Sequence, residues 1–158
     1  MVILFMQYLI IFLISMVPLI ELRGAIPYAI GFKLPLLPSY IICILGNMLP
    51  VPFIFLFARK ILVWGSDKKY IGGFFNWCLK KGERGGKKLQ EKAGRGLYVA
   101  LFLFVGIPLP GTGAWTGTLA ASLLDMDFKK STLAVMCGVV LAGIIMGLVS
   151  GGVFSFIQ

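Results

Sequence analysis

Glu21 and Arg23 are the residues of this chain best placed to do chemistry, because both are ionisable and both stand in a largely apolar first third. A charge at the centre of a bilayer costs roughly 2.5–3.5 kcal/mol on insertion scales. A carboxylate and a guanidinium kept there can form a local ion pair that only fixes a turn, can hold a charged substrate, or, at Glu21, can carry a proton. Gly24 and Pro27 follow at once. A glycine close to a proline breaks the helical ladder and leaves N–H and C=O groups that hydrocarbon cannot satisfy. Residues 21–27 therefore read as the turn of a hairpin that enters the membrane and comes back. A second break spans 106–113, where Pro108, Pro110, Gly111, Thr112 and Gly113 precede Trp115. There backbone amides could bind a ligand without a charged side chain, or the segment is a structural turn.

The residues that enzymes and metal sites need are missing. The chain has no histidine, and Cys43, Cys78 and Cys137 are far apart with no CxxC spacing. That excludes the usual zinc sites, nucleophile–histidine catalysis and a disulfide framework. The expectation is a protein that is not an enzyme, with no catalytic residue, no metal and no cofactor.

Composition gives the class. Of 158 residues 59% are hydrophobic and 13% charged, whereas a soluble domain is about a quarter charged. One integral membrane domain is expected. Net charge +9 could suggest nucleic acid in a soluble protein, but eleven of the fifteen Lys and Arg fall within 59–95. Such clustering marks a cytoplasmic loop. Anionic lipid head groups are its expected partners, not nucleic acid. No Lys or Arg precedes the first apolar run and no small-x-small site follows it, so a cleavable signal is not expected.

The elements that must position the two breaks follow from run lengths. Residues 1–20 would just cross about 30 Å of hydrocarbon or form a tilted hairpin arm. Residues 25–32 are too few to cross before Lys33, Pro35 and Pro38. Residues 39–58 should span, kinked by Pro50 and Pro52, with Asn47 making an interhelical hydrogen bond. Tyr70, Ile71, Phe74, Phe75, Trp77 and Cys78 have the spacing of a short interfacial helix, followed by a solvated loop. Residues 97–105 and 114–124 are again short arms, and 131–156 is the last span.

The pattern occurs twice: short arm, break, short arm, polar step, long helix. The expected fold is all-α and integral to the membrane, with two inverted repeats, each a re-entrant helical hairpin followed by a transmembrane helix. The units are 1–58, the basic loop 59–96, and 97–158. Inversion follows from a cytoplasmic loop between the halves, and inverted repeats with broken elements meeting at the midplane mark secondary transporters. Half-helix N-termini at Ala25 and Ala114 would then point their amides at the meeting point, where an anion could be held beside Arg23.

The motifs ELRGAIP and IPYAIG in the first half, with FVGIPLPGTGAWTG in the second, resemble the putative small multidrug export family of prokaryotic membrane proteins. The resemblance covers nearly the whole chain and implies a multi-pass transporter in the plasma (inner) membrane. That family is similar in architecture to the DedA/VTT superfamily, whose members carry two re-entrant hairpins and include carriers that move polyprenyl-phosphate or phospholipid head groups. By resemblance Glu21, Arg23, Gly24 and Pro27 match the first hairpin motif. Pro108, Pro110, Gly111, Gly113, Ala114 and Trp115 match the second, which lacks the acid and the arginine that DedA proteins carry there.

Bland readings stand beside these. Trp115 packs or gates. Thr112, Thr116 and Thr118 line a pore or bond to neighbouring carbonyls. The stripes Gly113/Gly117/Ala121 and Gly143/Gly147/Gly151 are close-packing faces, one of which could make a dimer. The reading reached is an exporter of a small amphipathic or anionic substrate that acts as a homodimer, with proton coupling through Glu21 left open. A DedA-like lipid flippase and a non-transporting membrane scaffold are the alternatives.

Overall fold

The computed structural model describes residues 2–18, 20–68, 70, 72–73, 75–77, 80, 96–109 and 111–157, with side chains between 3 and 152. The described elements are helices: α1 (Val2–Met16), α2 (Glu21–Gly31), α3 (Leu36–Met48), α4 (Pro50–Ser66), α5 (Gly96–Gly106), α6 (Ala114–Leu123) and α7 (Phe128–Ile157).

Among the described residues two stretches are long and apolar enough to cross a bilayer, Leu36–Ser66 and Phe128–Gly152. The first joins α3 to α4 through Leu49, whose helical φ −60 and ψ −44 carry the chain onward. Pro50 and Pro52 each lack an N–H, which interrupts the ladder at that joint. The run is longer than residues 39–58 suggested and passes through Arg59 and Lys60. Only 28% of the apolar 18-residue window in each is buried, unlike the core helix of a soluble protein. By contrast α1, α2, α5 and α6 have 15, 11, 11 and 10 residues, fewer than the roughly 20 a crossing helix needs. Within residues 1–20 the helix has 15 residues and ends at Met16.

Each short pair packs on its own long helix: α1 and α2 on α3, α5 and α6 on α7. The halves interlock, α2 against α7 and α6 against α4. The core draws on both, with Ile11, Leu22, Ala25 and Ile26 joined by Val105, Ala114, Val135 and Val139. Ile3, Phe5, Leu37 and Leu148 face outward, as lipid contact requires.

Local structure recurs at a separation of 92 residues. α2 ends with Lys33 at φ 55, the Leu34 N–H bonded to the Ala29 carbonyl and the Lys33 N–H to that of Ile30. α6 ends with Asp125 at φ 55, the Met126 N–H bonded to Ala121 and the Asp125 N–H to Ser122. Both are Schellman caps, in which a left-handed residue lets two amides fold back on the last turn. Leu34 and Met126, the residues that follow the left-handed positions, are both buried. The long helices also repeat: a Cβ on Gly46 would meet the Phe12 carbonyl oxygen at 2.6 Å, and one on Gly138 the Phe102 carbonyl oxygen at 2.8 Å.

Three expectations need correcting. Residues 21–27 are not a turn. Residues 17, 18 and 20 carry the turn, and the helix that follows begins at Glu21, not Ala25, taking Gly24 and Pro27 inside it. Proline is tolerated there because α2 is short and packed among α1, α3 and α7. Asn47 is buried, but its Oδ1 finds no hydrogen-bond partner among the described residues, so it does not make the expected bond. The expected half-helix starts Ala25 and Ala114 are not equivalent positions, since the spacing of 92 places Glu21 opposite Gly113. Residues 81–95, Cys78 and most of the expected interfacial helix lie outside the described residues. Phe75 and Asn76 are described and fold back on the end of α4, Asn76 Nδ2 donating to the Ser66 carbonyl at 3.2 Å.

Candidate functional site: a cross-half clamp at the second break

The first backbone amides of any α-helix lack intrahelical partners and carry a partial positive charge. In α6 these groups are met by a side chain from the other half. Glu21 accepts from the Ala114 N–H at 3.2 Å and from the Trp115 N–H at 3.0 Å, one bond on each carboxylate oxygen. Glu21 is 4% exposed, so the burial of its charge is balanced by two charge-assisted bonds and the helix terminus. Its own backbone is left-handed, φ 50, a conformation that costs about 1 kcal/mol or more for a non-glycine residue.

Arg23 serves the opposite end of the same break. Its Nη1 donates to the Leu109 carbonyl at 2.5 Å. Nη2 donates to Thr112 Oγ1 at 2.8 Å and, at 3.3 Å, to the carbonyls of Val105 and Ile107. These oxygens finish α5 and begin the non-helical stretch after it, where orphan carbonyls favour a cation. Two residues on one turn of α2 thus separate their charges, the anion on the start of α6 and the cation on the end of α5. The reading in which Glu21 and Arg23 pair only with each other is replaced by this arrangement.

Trp115 completes the clamp from the other side. Its indole Nε1 donates to the Met16 carbonyl at 3.2 Å, where α1 ends. Residue 115 lies 92 positions after residue 23. Each therefore reaches from the second arm of its half to the carbonyl end of the first arm of the other.

Gly113 has φ +143, and a Cβ there would lie 2.7 Å from Cδ of Glu21. Gly111 also has a positive φ of 81. Thr112 donates toward the carbonyls of Ile107 and Leu109 at 3.0 and 2.9 Å, which braces the break. Thr116 leans on the Gly113 carbonyl, whereas the Thr118 hydroxyl is buried without a partner among the described residues. Pro108 sits between two of the carbonyls Arg23 reaches. Gly24 and Pro27 support the site from within α2, Gly24 having Ile20 where a side chain would go. Pro110 lies outside the described residues.

A cavity of about 270 Å³ opens beside the clamp, lined by Pro18, Glu21, Ile54, Thr112, Trp115, Thr116 and Leu119. Reading the sequence missed Ile54 and Pro18 and the acceptor role of the Met16 and Val105 carbonyls. Backbone acceptors leave no trace in residue type, and nothing in a lone Ile marks it as a wall. Among the described residues no three His, Cys, Asp or Glu come together.

A family model described as Putative small multi-drug export protein matches residues 21–145. The chain belongs to that family. The match opens at Glu21 and takes in every described residue of the α5–α6 break. Family and apolar helices together point to a membrane location, and to export over catalysis. No curated protein and no solved structure matches the chain.

Proposed function

We propose that the chain is a multi-pass membrane exporter of small amphipathic molecules, built from two inverted re-entrant hairpins and gated by the Glu21–Arg23 clamp. The observation that carries this reading is the buried carboxylate of Glu21, which holds the start of α6 while facing a cavity. Ionisable groups kept in membrane domains mark substrate or proton pathways. Loss of charge on Glu21, by protonation or by a cationic group entering the cavity, weakens its hold on α6. The start of α6 is then released, and the cavity changes shape. That is a two-state element both ligand and proton can bias.

The cavity favours an amphipathic substrate over an anionic one. The α6 amides already hold Glu21, so an anion would have to displace a carboxylate. What the cavity offers instead is that carboxylate, the Trp115 indole and apolar walls, a combination suited to a donor or cation on an apolar body.

One observation favours the DedA-like flippase as a second reading. Ile54 and Leu119 line both the cavity and an outer groove between α4 and α6, which gives a lateral route from lipid.

The test is transport by the full chain in proteoliposomes, with a fluorescent amphipathic cation in one set and a labelled polyprenyl phosphate in another. Cation uptake driven by a pH gradient and lost in Glu21→Gln supports the exporter. Lipid movement without any gradient supports the flippase. Movement of neither probe above empty vesicles, or cation uptake untouched by Glu21→Gln, overturns the clamp as a transport element.

A further inference from the structure

The α4 helix carries a groove on each flank of its contact with α6, and the two differ in chemistry. One is lined by Phe53, Ile54, Phe57, Ile61, Leu119 and Leu123 among other apolar residues. The other, about 540 Å³, runs along Phe55, Leu56, Arg59, Lys60, Val63 and Trp64. These positions recur at i, i+1, i+4 and i+5, one face of a helix, and they change character along it. Two apolar residues come first, then two cations, then Val63 and an exposed Trp64. Ser122 and Asp125 close the far wall from α6 and its turn. The Asp125 carboxylate pairs with Arg59, and the Lys68 ammonium lies 4.4 Å from the Trp64 ring centroid.

We propose that this second groove is a binding site for an anionic phospholipid, its phosphate between Arg59 and Lys60 and its acyl chain along Phe55 and Leu56. Charge complementarity selects the occupant: two cations against the single carboxylate of Asp125 leave the groove net positive. A free phosphate would leave the apolar half of the groove uncovered, whereas a lipid covers both. The position along the chain agrees. Arg59 and Lys60 lie in the last two turns of the apolar run Leu36–Ser66, with Trp64 where interfacial aromatics sit. The proposal rests on α3–α4 crossing the bilayer and is independent of what the clamp transports. Its neighbour on the other flank, with no cation, is the internal comparison.

Trp64 is the reporter. The full chain is reconstituted in phosphatidylcholine vesicles containing a minor fraction of brominated phosphatidylglycerol or, in parallel, brominated phosphatidylcholine. The emission of Trp64 is taken as the difference from the Trp64→Phe variant. Stronger quenching by the brominated phosphatidylglycerol is expected. Lys60→Gln, which leaves the Arg59–Asp125 pair in place, should weaken the apparent lipid affinity about fivefold, the worth of one cation at an anionic surface. Adding Arg59→Gln should weaken it by a similar factor again. Changing Lys80 and Lys81 to Gln removes as much charge with Arg59 and Lys60 left in place and should leave the preference standing. Equal quenching by the two lipids overturns the site, as does a preference lost to the Lys80/Lys81 changes to the same extent, since that is attraction by bulk charge.

Discussion

Gly113 lies against Glu21 so closely that a Cβ on residue 113 would come within 2.7 Å of the carboxyl carbon. Two demands therefore meet at this position, the absence of a side chain and a φ of +143. Gly113→Ala should cost about 1–3 kcal/mol from backbone strain alone and should also push the carboxylate off the α6 amides. Thermal unfolding of the detergent-solubilised chain checks this. A variant that melts with the wild type would show that residue 113 tolerates a side chain and that the contact is loose.

Loss of the Glu21 charge should be felt at α6 more than at α2. Glu21→Gln keeps shape and one carbonyl acceptor, but only one of the two amides can then be satisfied. The bond that remains is neutral, worth about 0.5–1.5 kcal/mol in place of about 1.5–3 kcal/mol. Hydrogen exchange read by mass spectrometry should show faster exchange in peptides covering Ala114 and Trp115, with those covering 25–31 little changed. Equal loosening of both segments would mean that Glu21 holds its own helix and not the other half.

Arg23→Lys should fail nearly as badly as Arg23→Gln. The guanidinium reaches four oxygens spread from Val105 to Thr112, and a planar fork does what a point charge on a flexible stem does not. Trp115→Phe removes one neutral bond, to the Met16 carbonyl, and should cost less, about 0.5–1.5 kcal/mol. The expected order of melting temperatures is wild type, Trp115→Phe, then Arg23→Lys close to Arg23→Gln. A lysine variant near wild type would show that charge alone, without the fork, satisfies the α5 carbonyls.

Hydropathy and punctuation made the element order legible: the arms at 97–105 and 114–124 became α5 and α6 nearly to the residue, because glycine and proline bound them on one side and charges on the other. The first break was misplaced by a few residues for a physical reason. Glu21, Arg23, Gly24 and Pro27 looked like a turn by local propensity, yet tertiary contacts with three helices hold them helical, and the sequence just before them carries only one breaker, Pro18. The same residues were expected near the meeting point of the two halves, as an ion pair, a substrate site or a proton carrier. Their partners were not foreseen, because the α6 amides and α5 carbonyls that bind them are main-chain groups common to every residue. Asn47 failed for the converse reason: residue type shows that a polar group is present but not whether packing gives it a neighbour.

The recurrence at 92 residues yields a paired prediction. On the long helices Gly46 faces the Phe12 carbonyl and Ser15, and Gly138 faces the Phe102 carbonyl and Val105. In both places the obstacle to a side chain is partly main chain, which cannot rotate away. Gly46→Ala and Gly138→Ala should therefore each separate a long helix from its first arm, with a cost of about 1–3 kcal/mol typical of overpacking. Gly147 stands on the same helix as Gly138 with nothing within 4 Å of its Cβ position. Gly147→Ala should be neutral, or stabilising by up to about 1 kcal/mol through helix propensity. Thermal melts of the three variants side by side decide the matter, because propensity alone predicts that all three gain. A loss at 46 and 138 with none at 147 assigns the first two glycines to contact between helices, and a uniform gain would remove the close approach on which the likeness of the two halves depends.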